Sequence, residues 1–258
     1  MAPRKQLMRI LVVNPNTSES MTAEIAAAAR RAASPGTDIL AVAPHFGPRA
    51  IDSVVESYVA AVAVMDRVLS ITESYDAVVL AGFGEHGREG LQELVDVPVL
   101  DIAESAAQVA MTLGRRYSVV TTLSRSIAAI EDRLNLAGLD RRCASVRACG
   151  LSTAEVDADP AAAVAAIVTE ARQAISADHA EVICLGCGGL AGVAAAITAQ
   201  LGVPVVDGVA AAVRLAEAVV GLGLSTSKVG THAAVELNPL TSWPLSEQWH
   251  HFGRGERS

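Results

Sequence analysis

The segment Ala180–Leu190 reads Ala-Glu-Val-Ile-Cys-Leu-Gly-Cys-Gly-Gly-Leu, an apolar run that ends abruptly in a turn of small residues. Such a run predicts a buried strand, and the alanine-rich stretch that follows, up to Leu201, predicts a helix. The turn would bring backbone N–H groups and the thiol of Cys187 to the positive end of that helix. Because this position favours the thiolate, we expect Cys187 to act as a base or a nucleophile.

The same alternation of short apolar strands and helical patterns extends through the chain. Strands are predicted at 9–13, 38–43, 76–81, 98–102, 117–122, 144–149, 181–185 and 204–206, with a helix after each. Strands that are apolar on both faces and alternate with helices are typical of an α/β fold with parallel sheets.

An internal repeat divides this pattern into two similar halves. The segment Arg9–Val13 resembles Arg116–Val120, and Val97–Asp101 resembles Val203–Asp207. A repeat of this length predicts two pseudo-symmetric, flavodoxin-like parallel-sheet domains with the active-site cleft between them. We predict a first α/β domain at 8–103 plus 208–228, a second at 104–207, and tails at 1–7 and 229–258.

The repeat also predicts where a small-molecule substrate binds, because ligands of such folds lie beyond the carboxyl ends of the strands. Asn16 and Thr17 follow the first strand, and Thr121 and Thr122 occupy the equivalent place in the second half. We expect these four residues to bind the two ends of the substrate. Helix capping for the first pair and plain turn formation for the second are the alternatives.

Composition and motifs argue against several other classes of protein. The net charge is −8 and no basic patch carries interleaved aromatics, which argues against nucleic-acid binding. No apolar run reaches the roughly 20 residues of a membrane span, and no signal peptide is evident, so we predict a cytoplasmic protein. The Cys184-x-x-Cys187 motif has no second Cys or His pair that would complete a metal site. No complete G-x-G-x-x-G follows the first strand, so we expect no nicotinamide.

Several motifs together carry a family likeness. They are Asn14-Pro15-Asn16-Thr17, Gly47-Pro48 followed by Ile51, Leu185-Gly186-Cys187 and Gly202–Asp207. With them, residues 8–228 resemble the aspartate/glutamate/hydantoin racemase superfamily, and most closely its hydantoin and allantoin racemase branch. The resemblance implies a cofactor-free reaction in which one thiolate removes a proton next to a carbonyl and a facing thiol reprotonates the opposite side. It also implies a homo-oligomer.

One of the two thiols that the resemblance implies is missing. The family pattern reads Ala-Cys-Phe-Gly where this chain reads Ala81-Gly82-Phe83-Gly84, so only Cys187 remains. His86 and Glu85 are the candidates to replace the missing group, His86 because histidine is a common proton shuttle. A helix-start histidine and a helix-dipole carboxylate are the structural alternatives.

Three hypotheses follow for the function. The first is a racemase of the hydantoin type that acts on a small cyclic amide or amino-acid derivative. The second is a single-thiol decarboxylase or lyase, because Cys187-Gly188-Gly189 also resembles arylmalonate decarboxylase. The third is a binding protein without activity. Attack of the Cys187 thiolate on a carbonyl and isomerisation through a covalent adduct stay open as well.

Glycines and one aromatic residue complete the predicted site. The residues expected to contact the substrate in addition to those above are Gly82, Phe83, Gly84, Gly188 and Gly189. Packing in the core is the alternative for Phe83. The C-terminal segment carries Trp243, Trp249, His250 and His251, and we expect it either to fray or to dock on a neighbouring subunit.

Overall fold

The computed structural model describes residues 7–235. The strands are β1 Met8–Val13, β2 Thr37–Val42, β3 Ala77–Leu80, β4 Val99–Asp101, β5 Tyr117–Thr121, β6 Cys143–Ala148, β7 Val182–Leu185 and β8 Val205–Val206. The helices are α1 Glu19–Ala32, α2 Val54–Leu69, α3 Arg88–Leu94, α4 Ile102–Leu113, α5 Ile127–Leu136, α6 Thr153–Ala158, α7 Pro160–Ala177, α8 Ala194–Leu201 and α9 Gly208–Gly221.

The strands form two parallel four-stranded sheets of the same order. The first sheet is β2-β1-β3-β4 and the second is β6-β5-β7-β8. The repeated segments therefore occupy equivalent places, since Arg9–Val13 lies in β1 and residues 117–120 lie in β5. The predicted α/β fold with two parallel sheets is confirmed.

Burial of the central strands explains why their sequences are apolar throughout. Ile10–Val13 in β1 and Val182–Cys184 in β7 are fully buried. Val12 pairs with Ala41 on one side and Val79 on the other, and Val119 pairs with Cys184. Helices cover both faces of each sheet, so the central strands are apolar on both sides.

Two aspartates at matching strand ends begin the helices that join the halves. Asp101 accepts a hydrogen bond from the N–H of Glu104 at the start of α4, and Asp207 caps α9 in the same way. Helix α4 packs on the second sheet and α9 packs on the first, and the two helices contact each other. The domain boundaries stay predictions.

Two local features differ from the predicted elements. Helix α6 was not expected, although Ser152 and Glu155 form a capping box that the sequence contains. The helix after Cys187 does not begin at the turn: a 3₁₀ turn spans Gly188–Leu190, and α8 starts only at Ala194. Gly192, with a φ of +90°, separates the two. Cys187 therefore lies at a short turn and not at the end of a long helix.

The last described residues pack beside α3. Lys228 donates from Nζ to the carbonyl oxygens of Gln92 and Glu93. Trp243, Trp249, His250 and His251 lie outside the described residues. Among residues 7–235, no helix is long and apolar enough to cross a membrane. The homo-oligomer and the cytoplasmic location stay predictions.

Candidate active site

A cavity of about 680 Å³ opens between the two halves at the carboxyl ends of the strands. Both halves contribute to its wall. The predicted site residues that line it are Asn16, Gly82, Phe83, Gly84, Glu85, His86, Thr121, Thr122, Cys187 and Gly188. Thr17 and Gly189 were predicted with them but do not line the cavity. The equivalent strand ends of the repeat thus meet at one site.

Close backbone packing brings the two strand ends together. A Cβ at residue 188 would lie 2.5 Å from the carbonyl oxygen of Ala81, so only glycine allows this approach. The turn that carries Cys187 therefore packs directly against the turn that begins at Gly82. Phe83 also packs against core residues of both halves.

The thiol of Cys187 is held in its protonated form. Burial raises its pKa to about 11, although the backbone N–H groups of Gly189 and Leu190 favour the thiolate. The expectation that this position lowers the pKa of Cys187 is wrong. Burial removes water from the thiol, and α8, which was expected to stabilise the thiolate, starts only at Ala194. At neutral pH the group at Cys187 is an acid. The backbone N–H of Gly189 contacts the sulfur of Cys187, and Gly189 does not line the cavity.

His86 fills the space that a side chain at residue 82 would take. A Cβ built on Gly82 would lie 2.1 Å from Cδ2 and 2.8 Å from Nε2 of the imidazole. The ring is buried, and Nδ1 lies 3.0 Å from Oγ of Ser57 on α2. Burial lowers the pKa of His86 to about 4, and the charge of Arg133 acts in the same direction. The imidazole is therefore neutral at pH 7.

This burial predicts a pH-dependent loss of stability that depends on His86. Its pKa is about 4 in the folded chain and about 6.5 when unfolded, so the unfolded chain binds the proton first as the pH falls. The contribution of the neutral imidazole to the free energy of unfolding is present above pH 6.5 and is lost between pH 6.5 and 4. From pH 7 to 5 the loss is about 2 kcal/mol.

Urea unfolding of the wild type and His86→Asn at pH 7 and pH 5 measures this loss. Asn keeps a donor toward Ser57 but does not titrate. The wild type should lose about 2 kcal/mol more than the variant, because the other titrating groups cancel in the difference. Equal losses in both proteins would contradict the neutral, buried imidazole.

Glu85 is held in an ion-pair network that crosses between the halves. Its carboxylate accepts from the N–H of Gly87 at 2.7 Å and pairs with Arg133 of α5 at 2.9 Å. Arg133 is buried and also pairs with Glu89, Asp101 and Glu104. Both oxygens of Glu85 are thus engaged within the fold, and burial raises the pKa of the carboxyl.

Asn16 and Thr17, in the loop after β1, make hydrogen bonds within the first half. Oδ1 of Asn16 accepts from the N–H of Ser18, and within residues 7–235 the amide nitrogen of Asn16 contacts only the sulfur of Met21. The side chain of Thr17 donates to the carbonyl oxygen of Pro48. Ser18, not Thr17, caps α1.

The two threonines of the second half differ in what they offer to a ligand. Thr121 donates from Oγ1 to the carbonyl oxygen of Gly186 at 3.0 Å, so its hydroxyl proton is already used in an internal hydrogen bond. The hydroxyl of Thr122 makes no hydrogen bond within the part of the chain that the structure describes. Thr122 therefore offers a free hydroxyl to the cavity.

Two residues of the site were missed from the sequence. Ser57 lies on α2, and nothing in its surroundings indicates a contact with a loop 29 residues away. Arg133 could have been recognised from the sequence, because it lies between Ile130 and Leu134 on the buried face of α5. A charged residue on an apolar helix face usually has a buried partner. Within residues 7–235, no group of three His, Cys, Asp or Glu residues is placed to hold a metal.

Comparisons with known proteins agree on one family. The model for Asp/Glu/Hydantoin racemase matches residues 10–216. A hydantoin racemase from Pseudomonas sp. (strain NS671) is 39% identical over 226 residues, which cover 87% of this chain and 91% of that protein. The crystal structure of the allantoin racemase AllR from Pseudomonas fluorescens is 58% identical, with a TM-score of 0.89, and covers 90% of this chain and 99% of that one.

A more distant likeness concerns the fold alone. A crystal structure of arylmalonate decarboxylase is 21% identical, with a TM-score of 0.55, and covers 83% of this chain and 93% of that one. At this identity the likeness carries no information about the reaction.

Proposed function

Because the chain belongs to the Asp/Glu/hydantoin racemase family and is a racemase, we propose that it inverts the carbon next to a carbonyl in 5-substituted hydantoins, without a cofactor. Hydantoins are small cyclic amides, the substrate class that we expected. The observation that carries the proposal is the convergence of Cys187 and His86, one from each half, in a single cavity.

The protonation states of the two groups suit them to opposite roles. Nε2 of the neutral imidazole of His86 takes the proton from one face of the substrate. The thiol of Cys187 gives its proton to the other face. One inversion therefore converts the neutral pair into an imidazolium and a thiolate, with the substrate proton on His86 and the thiol proton on the product.

The same pair also works in reverse. The opposite enantiomer loses its proton to the thiolate of Cys187 and receives one from the imidazolium of His86. Both forms of the pair carry one transferable proton and the same net charge, so they differ only in which group holds that proton. A proton transfer through water between the two groups restores the neutral pair after product release.

The walls of the cavity support a substrate with a polar ring and an apolar substituent. The free hydroxyl of Thr122 and the amide nitrogen of Asn16 provide hydrogen bonds for ring carbonyls. At the mouth, Val55, Tyr58 and Leu136 are 73%, 65% and 73% exposed. An apolar substituent that covers these side chains would gain free energy from their burial.

Enantiopure 5-benzylhydantoin and allantoin in deuterium oxide test the proposal. We expect loss of optical activity together with uptake of one deuterium, measured by circular dichroism and mass spectrometry against a sample without enzyme. Deuterium uptake with retained configuration would exclude inversion by two groups. Release of CO₂ from an aryl malonate without racemisation would favour a decarboxylase, and binding without turnover would indicate an inactive binding protein.

A further inference from the structure

The side chain of Ser57 lies between His86 and the backbone of the loop that carries it. Its hydroxyl donates to the carbonyl oxygen of Glu85, and its oxygen lies 3.0 Å from Nδ1 of His86. Ser57 is on α2, so these two contacts join the imidazole to a helix and not only to its own loop.

The direction of one hydrogen bond determines the direction of the other. A carbonyl oxygen only accepts, so the single hydroxyl proton of Ser57 points to Glu85. The hydroxyl oxygen is then left as an acceptor toward Nδ1. The nitrogen must therefore carry the proton, and the neutral ring must have its lone pair on Nε2.

The nitrogen with the lone pair faces the cavity. Nε2 lies 2.8 Å from the Cβ position of residue 82 and 3.5 Å from that of residue 84, and both glycines line the cavity with His86. A lone pair at this place can accept a proton from a bound substrate, whereas an Nε2–H could not.

We propose that Ser57 is a positioning residue that keeps His86 in the Nδ1–H form and so makes Nε2 the base of the site. The inference rests on the proposed function for its catalytic meaning, but the tautomer itself is a property of the free protein. Without the hydroxyl, the imidazole keeps only its backbone contact with Glu85 and loses its link to α2, so the ring exchanges tautomers and turns more easily.

Nitrogen NMR of ¹⁵N-histidine-labelled protein measures the tautomer directly. His86 is identified among the six histidines by its absence from His86→Asn. In the wild type we expect one protonated and one unprotonated ring nitrogen, with the proton on Nδ1. In Ser57→Ala we expect the signals to move toward the other tautomer, and in Ser57→Thr, which keeps the hydroxyl, we expect them to stay.

Kinetics with 5-benzylhydantoin provide the second readout. Ser57→Ala should lower kcat by about 10- to 100-fold with little change in KM, because the hydroxyl of Ser57 is already engaged by Glu85 and His86. Ser57→Thr should recover most of that loss. Ser176→Ala, which removes a helix-bound hydroxyl on α7, is the matched control and should change neither value.

The two readouts separate the possible failures. An Nε2–H form in the wild type, or an unchanged tautomer and kcat in Ser57→Ala, would overturn the role of Ser57. If the wild type racemises no hydantoin while Ser57→Ala still shifts the tautomer, the proposed function fails and the positioning role stands. If Ser57→Ala does not fold, the wild-type tautomer and Ser57→Thr still decide the question.

Discussion

Cys187→Ala and His86→Asn are each expected to abolish racemisation while leaving proton exchange on opposite enantiomers of the same hydantoin. A general acid or base contributes about 10²- to 10⁴-fold, so kcat for racemisation should fall by at least 100-fold in each variant. The remaining group can still remove and return a proton on its own face. The configuration is then retained, and deuterium enters only one enantiomer.

The pH dependence of this exchange should differ between the two variants. In Cys187→Ala the base is the imidazole, whose pKa is about 4, so exchange should be constant above pH 5. In His86→Asn the base is the thiolate of Cys187, whose pKa is about 11, so exchange should rise with pH throughout the neutral range. Proton NMR at several pH values in deuterium oxide measures both rates for each enantiomer.

Matched variants control for the loss of a cysteine or a histidine elsewhere. Cys143→Ala removes a half-buried thiol of the second half that does not line the cavity. His179→Asn removes a histidine at a φ of 61°, a conformation that Asn tolerates. Both controls should racemise like the wild type. Exchange of the same enantiomer in both active-site variants would refute the assignment of the two groups to opposite faces.

The position of the site could be predicted from the sequence because it follows from chain topology. The match between Val97–Asp101 and Val203–Asp207 places equivalent strand ends at the same point of two related sheets. Parallel strands of one order direct their carboxyl ends toward a common cleft. No knowledge of side-chain packing was needed for that step.

The chemical state of the site could not be predicted in the same way. The pKa of Cys187 depends on how much water the fold removes from the thiol, and the local motif suggested only the N–H groups that favour the thiolate. Likewise, Ser57 and Arg133 reach the loop 82–87 from α2 and α5, which are distant in sequence. Tertiary packing alone brings them to the site, so local patterns do not reveal their roles.

Gly82→Ala is expected to remove nearly all racemase activity, because the new Cβ displaces the imidazole of His86. Residue 82 does not have a positive φ, so the backbone imposes no strain on a larger residue. The new Cβ would instead lie 2.1 Å from Cδ2 of His86, and the ring would have to leave Ser57. The loss in kcat should match that of His86→Ala, at least about 100-fold.

A double-mutant cycle separates this steric effect from any other role of Gly82. If Gly82 acts by making room for the imidazole, Gly82→Ala should cost little more once His86 is already Ala, so the two losses should not multiply. Gly221→Ala, where nothing lies within 4 Å of the new Cβ, is the matched control and should keep full activity. Losses that multiply would show that Gly82 acts independently of the ring.

The same cycle with cysteine tests whether histidine has replaced a thiol. Gly82→Cys alone should be nearly inactive, because its Cβ displaces the imidazole as alanine does. Gly82→Cys combined with His86→Ala removes that clash and places a second thiol opposite Cys187, leaving Pro15 Cγ at 2.7 Å to move by several tenths of an ångström. We therefore expect the double variant to racemise 5-benzylhydantoin faster than either single variant. A double variant no faster than His86→Ala would mean that this cavity does not accept a thiol in place of the imidazole.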